Sequence, residues 1–381
     1  MTGKSGDHGR NECPAARPKF QGENEILQKE SSFIEYLLTR FRHWVGWGMA
    51  HVRWLAPWKD SLTKPVIYHC ISRVVERRFA FGKDEKEKLR TLMRMYEKFS
   101  GCRALAYCFM SNHIHLLLEV PPMPAEGLTD AELLQRLRAI CSEVVVTGVA
   151  KELAEVRQQV KCGLADEVLV REIHDRYTYR MHSLSEYMKG FMQRFTQWFN
   201  RSQKRSGGLW EDAFKSVIVE DGCAARAMAA YIDLNPVRAG LATDPADYRW
   251  SSYGEAMGGG PRGNGKKARA GLVRALRAHQ GYDADAQYWA GDVSREYRML
   301  LLAEGAADVS MGKMLRCRVR YFTDGAVIGS RGFVDEVFHR CRNRFGPKRK
   351  SGARKLRGNG AAAAGVLWCA RALQKQIGAS P

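Results

Sequence analysis

The sequence predicts an α+β fold: a ferredoxin-like antiparallel sheet with helices packed on it, plus a helical insertion and a mainly helical, basic C-terminal region. Three observations carry that expectation. Apolar runs of strand length recur at 66–73, 102–110, 113–120 and 214–220. Helical stripes repeating every three to four residues lie between them at 84–100 and 183–200. With the stretch 123–182 set aside, the order is strand, helix, strand, strand, helix, strand, helix, the split βαββαβ arrangement with one helix added.

Residues 1–60 read as an extension of mixed composition, disordered at first and helical later. Four tryptophans lie between Phe33 and Trp58, but Arg40, Arg42 and Arg53 interrupt the apolar run, so it reads as an arm or amphipathic helix rather than a membrane span. The main domain is placed at 61–255. It opens with VIYHCISR, Val66–Arg73, as a first strand. The next segment, 84–100, carries Leu89, Leu92, Met93 and Tyr96 on one stripe with acids in its first turn, and Gly101 ends it. CRALAYCFM and HIHLLLEV, separated by Ser111 and Asn112, form a tight hairpin.

Pro121 and Pro122 close the hairpin and introduce the insertion, where Leu133, Leu134, Leu137 and Ile140 form one apolar stripe. Ser183 caps the next helix, with Glu186 three residues later and Leu184, Met188, Met192, Phe195 and Phe199 on one face. The strand FKSVIVE follows, then a helix over 222–235 capped by Asp221 and stopped by Pro236. GGGPRGNGKKARAG places a flexible basic linker at 256–275. In the region 276–381, two helical patterns flank the turn TDGAVIG, a weak helix-turn-helix signal, and Arg340–Arg357 holds nine basic residues and no acid.

Lys and Arg total 61 against 41 Asp and Glu, a formal charge of +20 that suits a polyanionic partner, nucleic acid before an anionic membrane surface. Met1–Phe20 lacks the apolar core of an export signal, so a cytoplasmic, nucleoid-associated protein is expected. Ten cysteines without a C-x-x-C pair argue against a structural zinc site.

Candidate chemistry begins with His113 and His115. Alternation puts both on one strand face, about 7 Å apart, close enough for both rings to lean on a single cation. On the helix that ends at Pro236, Tyr231 and Asn235 are four apart and share a face. A phenol can be a nucleophile and an amide oxygen a hard-cation ligand. Taken singly, each has a plain alternative: a half-buried aromatic, and a cap on the turn into proline. Imidazole donors argue Mn²⁺ or Zn²⁺ at least as well as Mg²⁺.

YHCISR at 68–73, HIH at 113–115, RSGGLWEDAFKSVIVED at 205–221, YIDLNPVRAGL at 231–241 and YRWSSY at 248–253 resemble the single-tyrosine HUH transposases, in particular the REP-associated tyrosine transposase branch. The resemblance covers about 65–122 and 183–255. It implies a divalent metal ion, Mg²⁺ or Mn²⁺, held by His113 and His115, with Asn235 as third ligand and Tyr231 as the nucleophile of a single-strand DNA nicking and joining reaction. Single-stranded or hairpin DNA is the implied partner, and whether a monomer or a homodimer works on it is left open. Basic residues interleaved with aromatics point to Arg73, Arg201, Lys204, Arg205, Trp210, Lys215, Arg349 and Lys350 as DNA contacts. The alternative is a non-catalytic DNA-binding regulator on the same fold. His69 and Glu119 are both conceivable as general base.

Overall fold

A computed structural model describes residues 53–258, 265–277, 289, 291–302, 315–316, 321–347, 349–356 and 366–371. The expected core forms. Strand β1 is Val66–Arg73, followed by helix α1, Lys83–Ser100, and the hairpin β2, Arg103–Phe109, and β3, His113–Val120. The insertion folds as α2, Asp130–Leu137, α3, Glu143–Lys161, and α4, Glu167–Thr178. Then come α5, Leu184–Ser202, β4, Lys215–Val219, and α6, Cys223–Asp233.

The first four strands lie in the order β2-β3-β1-β4, all antiparallel, which is the ferredoxin-like sheet. Both faces are buried, not one. Tyr68, Cys70, Ile114, Leu116 and Leu118 join α1, α5 and the insertion helices in one core, while Ile67, Leu117, Val217 and Val219 join α6 and the later helices in another. The run CAARAMAAYID explains how α6 approaches so closely: Ala224, Ala225, Ala227, Ala229 and Ala230 are all buried, so small side chains meet the sheet and Tyr231 is carried against it.

Three expectations change beyond residue 255. The segment 256–275, read as a flexible linker, carries helix α8, Lys266–Leu276, which follows α7, Ser252–Met257, and lies on β2. A β-bulge between Ala104 and Ala106 lifts the strand there, and a Cβ at Gly271 would stand 2.4 Å from the carbonyl oxygen of Ala104. That glycine marks close approach, not flexibility. Arg274 of α8 then inserts into the sheet face, its Nη2 donating to Glu119 Oε1 at 2.6 Å and its Nη1 to Asp221 Oδ1 at 2.8 Å.

The TDGAVIG segment is no helix-turn-helix. It supplies strand β5, Val327–Gly329, which pairs parallel with β4, and β6, Arg354–Lys355, and β7, Trp368–Ala370, extend the sheet to seven strands. Helix α10, Arg331–Arg340, packs beside β5 and β7, whereas α9, Gly291–Leu302, packs on α6 and α8. The region expected to be mainly helical is thus partly sheet. The caps differ in detail too: Gly222, not Asp221, stands at the start of α6, while Asp221 holds Arg274.

Residues 1–52 lie outside the described residues, as does most of the helix expected late in the N-terminal extension. The described end of that extension, from Arg53, is a turn whose Trp54 and Trp58 are buried. Trp54 is tied to β4 twice, its N–H donating to Ser216 Oγ and its carbonyl accepting from the same hydroxyl. Among the described residues no helix is long and apolar enough to cross a membrane.

Candidate active site

The site forms where β1, β3 and α6 meet the chain at Phe322. Antiparallel register sets Ile71 opposite His115 and Arg73 opposite His113, and Lys215 of β4 opposite Ile71. Cross-strand partners share a face, so two imidazoles, an arginine and a lysine occupy one end of the same sheet surface. His113 and His115 have ring centroids 5.0 Å apart with planes at 82°.

Tyr231 reaches this group from α6. Its ring centroid is 6.5 Å from that of His115 and 6.4 Å from that of His69, edge to face in both cases. Tyr231 as a whole is only 3% exposed. On one side Phe322 stacks on it at 4.6 Å and 13°; Arg238 lies over the ring at 4.0 Å, its Nη2 also donating to the Tyr231 carbonyl at 2.6 Å. The nucleophile candidate is therefore beside the imidazole pair but covered.

Each imidazole makes a hydrogen bond through the same nitrogen. His113 Nδ1 is 2.6 Å from Asn112 Oδ1, and Asn112 Nδ2 donates to the Arg77 carbonyl at 2.9 Å. His115 Nδ1 is 2.9 Å from His69 Nε2, and His69 Nδ1 is 2.8 Å from the Phe322 carbonyl. Burial keeps these inner rings neutral: it pushes His69 down to about 4 and His115 well below the usual histidine range, with the neighbouring His113 adding to the second shift.

A divalent ion fits this donor set in part. Neutral imidazoles are the form that ligates a metal, and both rings sit on one strand face. Asn235 is less well placed: its Nδ2 donates to the Ile232 carbonyl at 3.0 Å, a cap on its own helix end, and none of its hydrogen bonds reaches an imidazole. Among the described residues no group of three or more His, Cys, Asp or Glu is arranged as a cation cage.

Neither candidate base is idle. Glu119 is fully buried in its ion pairs with Arg274 and Arg103, four residues along β3 from His115. His69 Nε2 is occupied by His115. Sequence reasoning weighed His69 as a base and missed its contact with His115; the signal was its place on the same face of β1, two residues before Ile71.

The expected DNA contacts divide. Arg73 and Lys215 line a cleft of about 240 Å³ together with Arg77, Glu211 and Asp212. The loop after α5 runs along this end of the sheet, Glu211 N–H donating to the Arg73 carbonyl at 2.8 Å, and Arg201, Lys204 and Lys350 are exposed. Arg205 is partly buried, over Phe199 and donating to the Gly208 carbonyl. Trp210 is employed in packing: its ring lies against Phe81 and Phe195, and its Nε1 donates to Thr196 Oγ1 at 2.9 Å. Arg349 likewise gives its nitrogens to the carbonyls of Ser351, Gly352 and Arg371. Both residues remain partly exposed, and those partners give each of them a part in holding the fold together.

Residues 63–161 match the family model for Transposase IS200 like, in agreement with the resemblance read from the motifs. The matched segment holds β1, the hairpin with both histidines, and part of the insertion. Comparison with curated proteins gives no match. A solved structure of a REP-associated tyrosine transposase bound to a REP hairpin is similar over 65% of this chain and 93% of that one, at 13% identity and a TM-score of 0.31. The ferredoxin-like assignment rests on the strand order itself.

Proposed function

We propose that this protein nicks and rejoins single-stranded, hairpin-forming DNA through a covalent bond between Tyr231 and a 5′ phosphate. One observation carries the reading: a phenol from α6 and two imidazoles from β3, far apart in sequence, share one sheet face with the Tyr231 and His115 rings 6.5 Å apart. The motif match over 63–161 supports the same class.

A phosphodiester resists attack because its unbridged oxygens repel an incoming anion. A divalent ion, when bound by His113 and His115, would supply the charge that offsets this and polarises the phosphate. The chain's own residues do the rest. Tyr231 Oη forms the new bond to phosphorus as the bond to the 3′ oxygen breaks; the phenol gives up its proton and the departing oxygen gains one. Because the phosphate ester is kept on the protein, the reverse attack by a 3′ hydroxyl rejoins a strand without a nucleotide cofactor. Arg73 and Lys215, on the same sheet face as the imidazoles, would pair with the phosphates on either side. Hairpin DNA is the partner of the similar solved structure and is proposed for this chain on the motif resemblance.

The burial of Tyr231 under Phe322 and Arg238 favours a second reading, a DNA-binding regulator that does not cut. Covalent capture separates the two. Protein is incubated with a labelled pool of hairpin-forming single strands and Mn²⁺, denatured, and resolved by size. Label that stays with the wild-type chain and disappears in Tyr231→Phe establishes cutting; no retained label, with DNA binding intact, establishes the regulator.

A further inference from the structure

His69 is the one fully buried histidine in β1, and it touches both the site and the chain that covers it. Its ring lies against that of His115, centroids 5.1 Å apart and planes at 18°, with Nε2 of one 2.9 Å from Nδ1 of the other. Its own Nδ1 faces the Phe322 carbonyl at 2.8 Å. A carbonyl oxygen only accepts, so the proton of the neutral His69 ring must sit on Nδ1. Nε2 then has a lone pair and nothing to donate. The hydrogen bond to His115 can exist only if His115 carries its proton on Nδ1, which leaves its lone pair on Nε2.

The same logic operates one strand position away with different chemistry. Asn112 must aim its amide nitrogen at the Arg77 carbonyl, which fixes its oxygen toward His113 Nδ1. An oxygen there again demands a proton on Nδ1. Two relays, each ending at a main-chain carbonyl, one in the loop after β1 and one at Phe322, therefore impose the same tautomer on two neighbouring imidazoles. A merely space-filling residue at position 69 would leave the Phe322 oxygen and the His115 N–H without partners, which is costly at full burial.

We propose that His69 is a positioning residue which fixes the tautomer and ring plane of His115, with Asn112 acting in the same way on His113, so that Nε2 is the lone-pair nitrogen of both rings. The inference deepens the nicking reading, on which its link to a divalent ion rests. Outer partners of this kind hold ligating imidazoles in register, and their loss weakens metal binding by about 10–100-fold.

The test uses the full chain with ¹⁵N-labelled histidine, first without metal. Long-range proton–nitrogen correlation reads which ring nitrogen of His115 is protonated. The expected result is a protonated Nδ1 in the wild type, loss of that fixed state in His69→Phe, and its recovery in His69→Gln, whose amide oxygen restores an acceptor. Manganese titration followed by electron paramagnetic resonance should then show affinity weakened about 10–100-fold in His69→Phe and within about threefold of wild type in His69→Gln. A wild-type His115 protonated on Nε2 overturns the relay, whether or not the variants fold. So does His69→Phe with unchanged tautomer and unchanged affinity. If the wild type binds no Mn²⁺ while its tautomer is as stated, the relay stands and the metal part of the nicking reading falls.

Discussion

Replacing Glu119 with Gln isolates the ion cluster that fastens α8 to the sheet. Glu119 is fully buried, accepting from Arg274 Nη2 at 2.6 Å and Nε at 3.0 Å; Arg103 Nε lies 3.1 Å from its other oxygen, close but poorly aligned for a hydrogen bond. Breaking one side of a buried pair costs about 3–5 kcal/mol when the remaining charge is stranded. Here Arg274 keeps Asp221, at 2.8 and 2.9 Å, so the expected cost is lower, about 2–3 kcal/mol. The assay is urea unfolding of Glu119→Gln, Arg274→Met and the double variant. The pair should be coupled by about 1–3 kcal/mol, the double variant losing much less than the sum of the singles. Strand capture by the folded Glu119→Gln protein should persist, since the carboxylate is four residues along β3 from His115. Additive losses, or a cost below about 0.5 kcal/mol, would refute the assignment of this cluster as the clamp on α8.

Three further outcomes are expected. Phe322→Ala removes the ring stacked on Tyr231, costs about 3–5 kcal/mol as a buried aromatic truncation, and should speed nitration of Tyr231 by tetranitromethane; an unchanged rate would mean Phe322 is not the cover. Arg73→Ala and Lys215→Ala should each flatten the log–log salt dependence of single-strand binding by about 0.7, whereas Arg349→Ala should lower stability and leave the slope alone; equal slopes throughout would move the DNA path elsewhere. Asp130 in the insertion is held below the usual carboxylate range, chiefly by its hydrogen bond to Arg157 and also by His174. A depressed folded pKa gives stability that is present above about pH 4 and lost as pH falls through the folded value. Asp130→Asn should cost about 1 kcal/mol at pH 7, discounted for partial exposure, and should shrink the acid-induced loss seen by urea unfolding between pH 3 and 6.

How much of this was legible in the sequence depends on whether the signal was local. Strand β1 could be read residue for residue because Val66–Arg73 is bounded by Pro65 and is mostly apolar and β-prone, and the hairpin because two such runs meet at Ser111 and Asn112. The imidazole pair was visible through strand alternation alone. Its meeting with Tyr231 was suggested by the family resemblance, not by any spacing.

What stayed hidden was long-range. Helix α8 looked like linker because glycine and lysine dominate its surroundings, yet Gly271 is there to clear a bulged strand and Arg274 to meet a carboxylate that lies 155 residues away. Strand β5 is three residues, the last of them a glycine, too short to show a period, and it exists because β4 offers it a partner. The packing partners of Trp210 and Arg349 were hidden for the same reason, because composition does not show that an indole meets Thr196 or that a guanidinium meets main-chain carbonyls.

The parallel pairing of β5 on β4 has a practical consequence for anyone who shortens this chain. Ending it near residue 255, where the motif resemblance ends, would strip the outer neighbour from β4 and leave Ile218 and Val219 along a bare sheet margin. Such a margin recruits other chains, so the shortened protein should self-associate even where its imidazoles and phenol remain in place. Insolubility of that fragment would then report on a lost strand partner and say nothing about its chemistry.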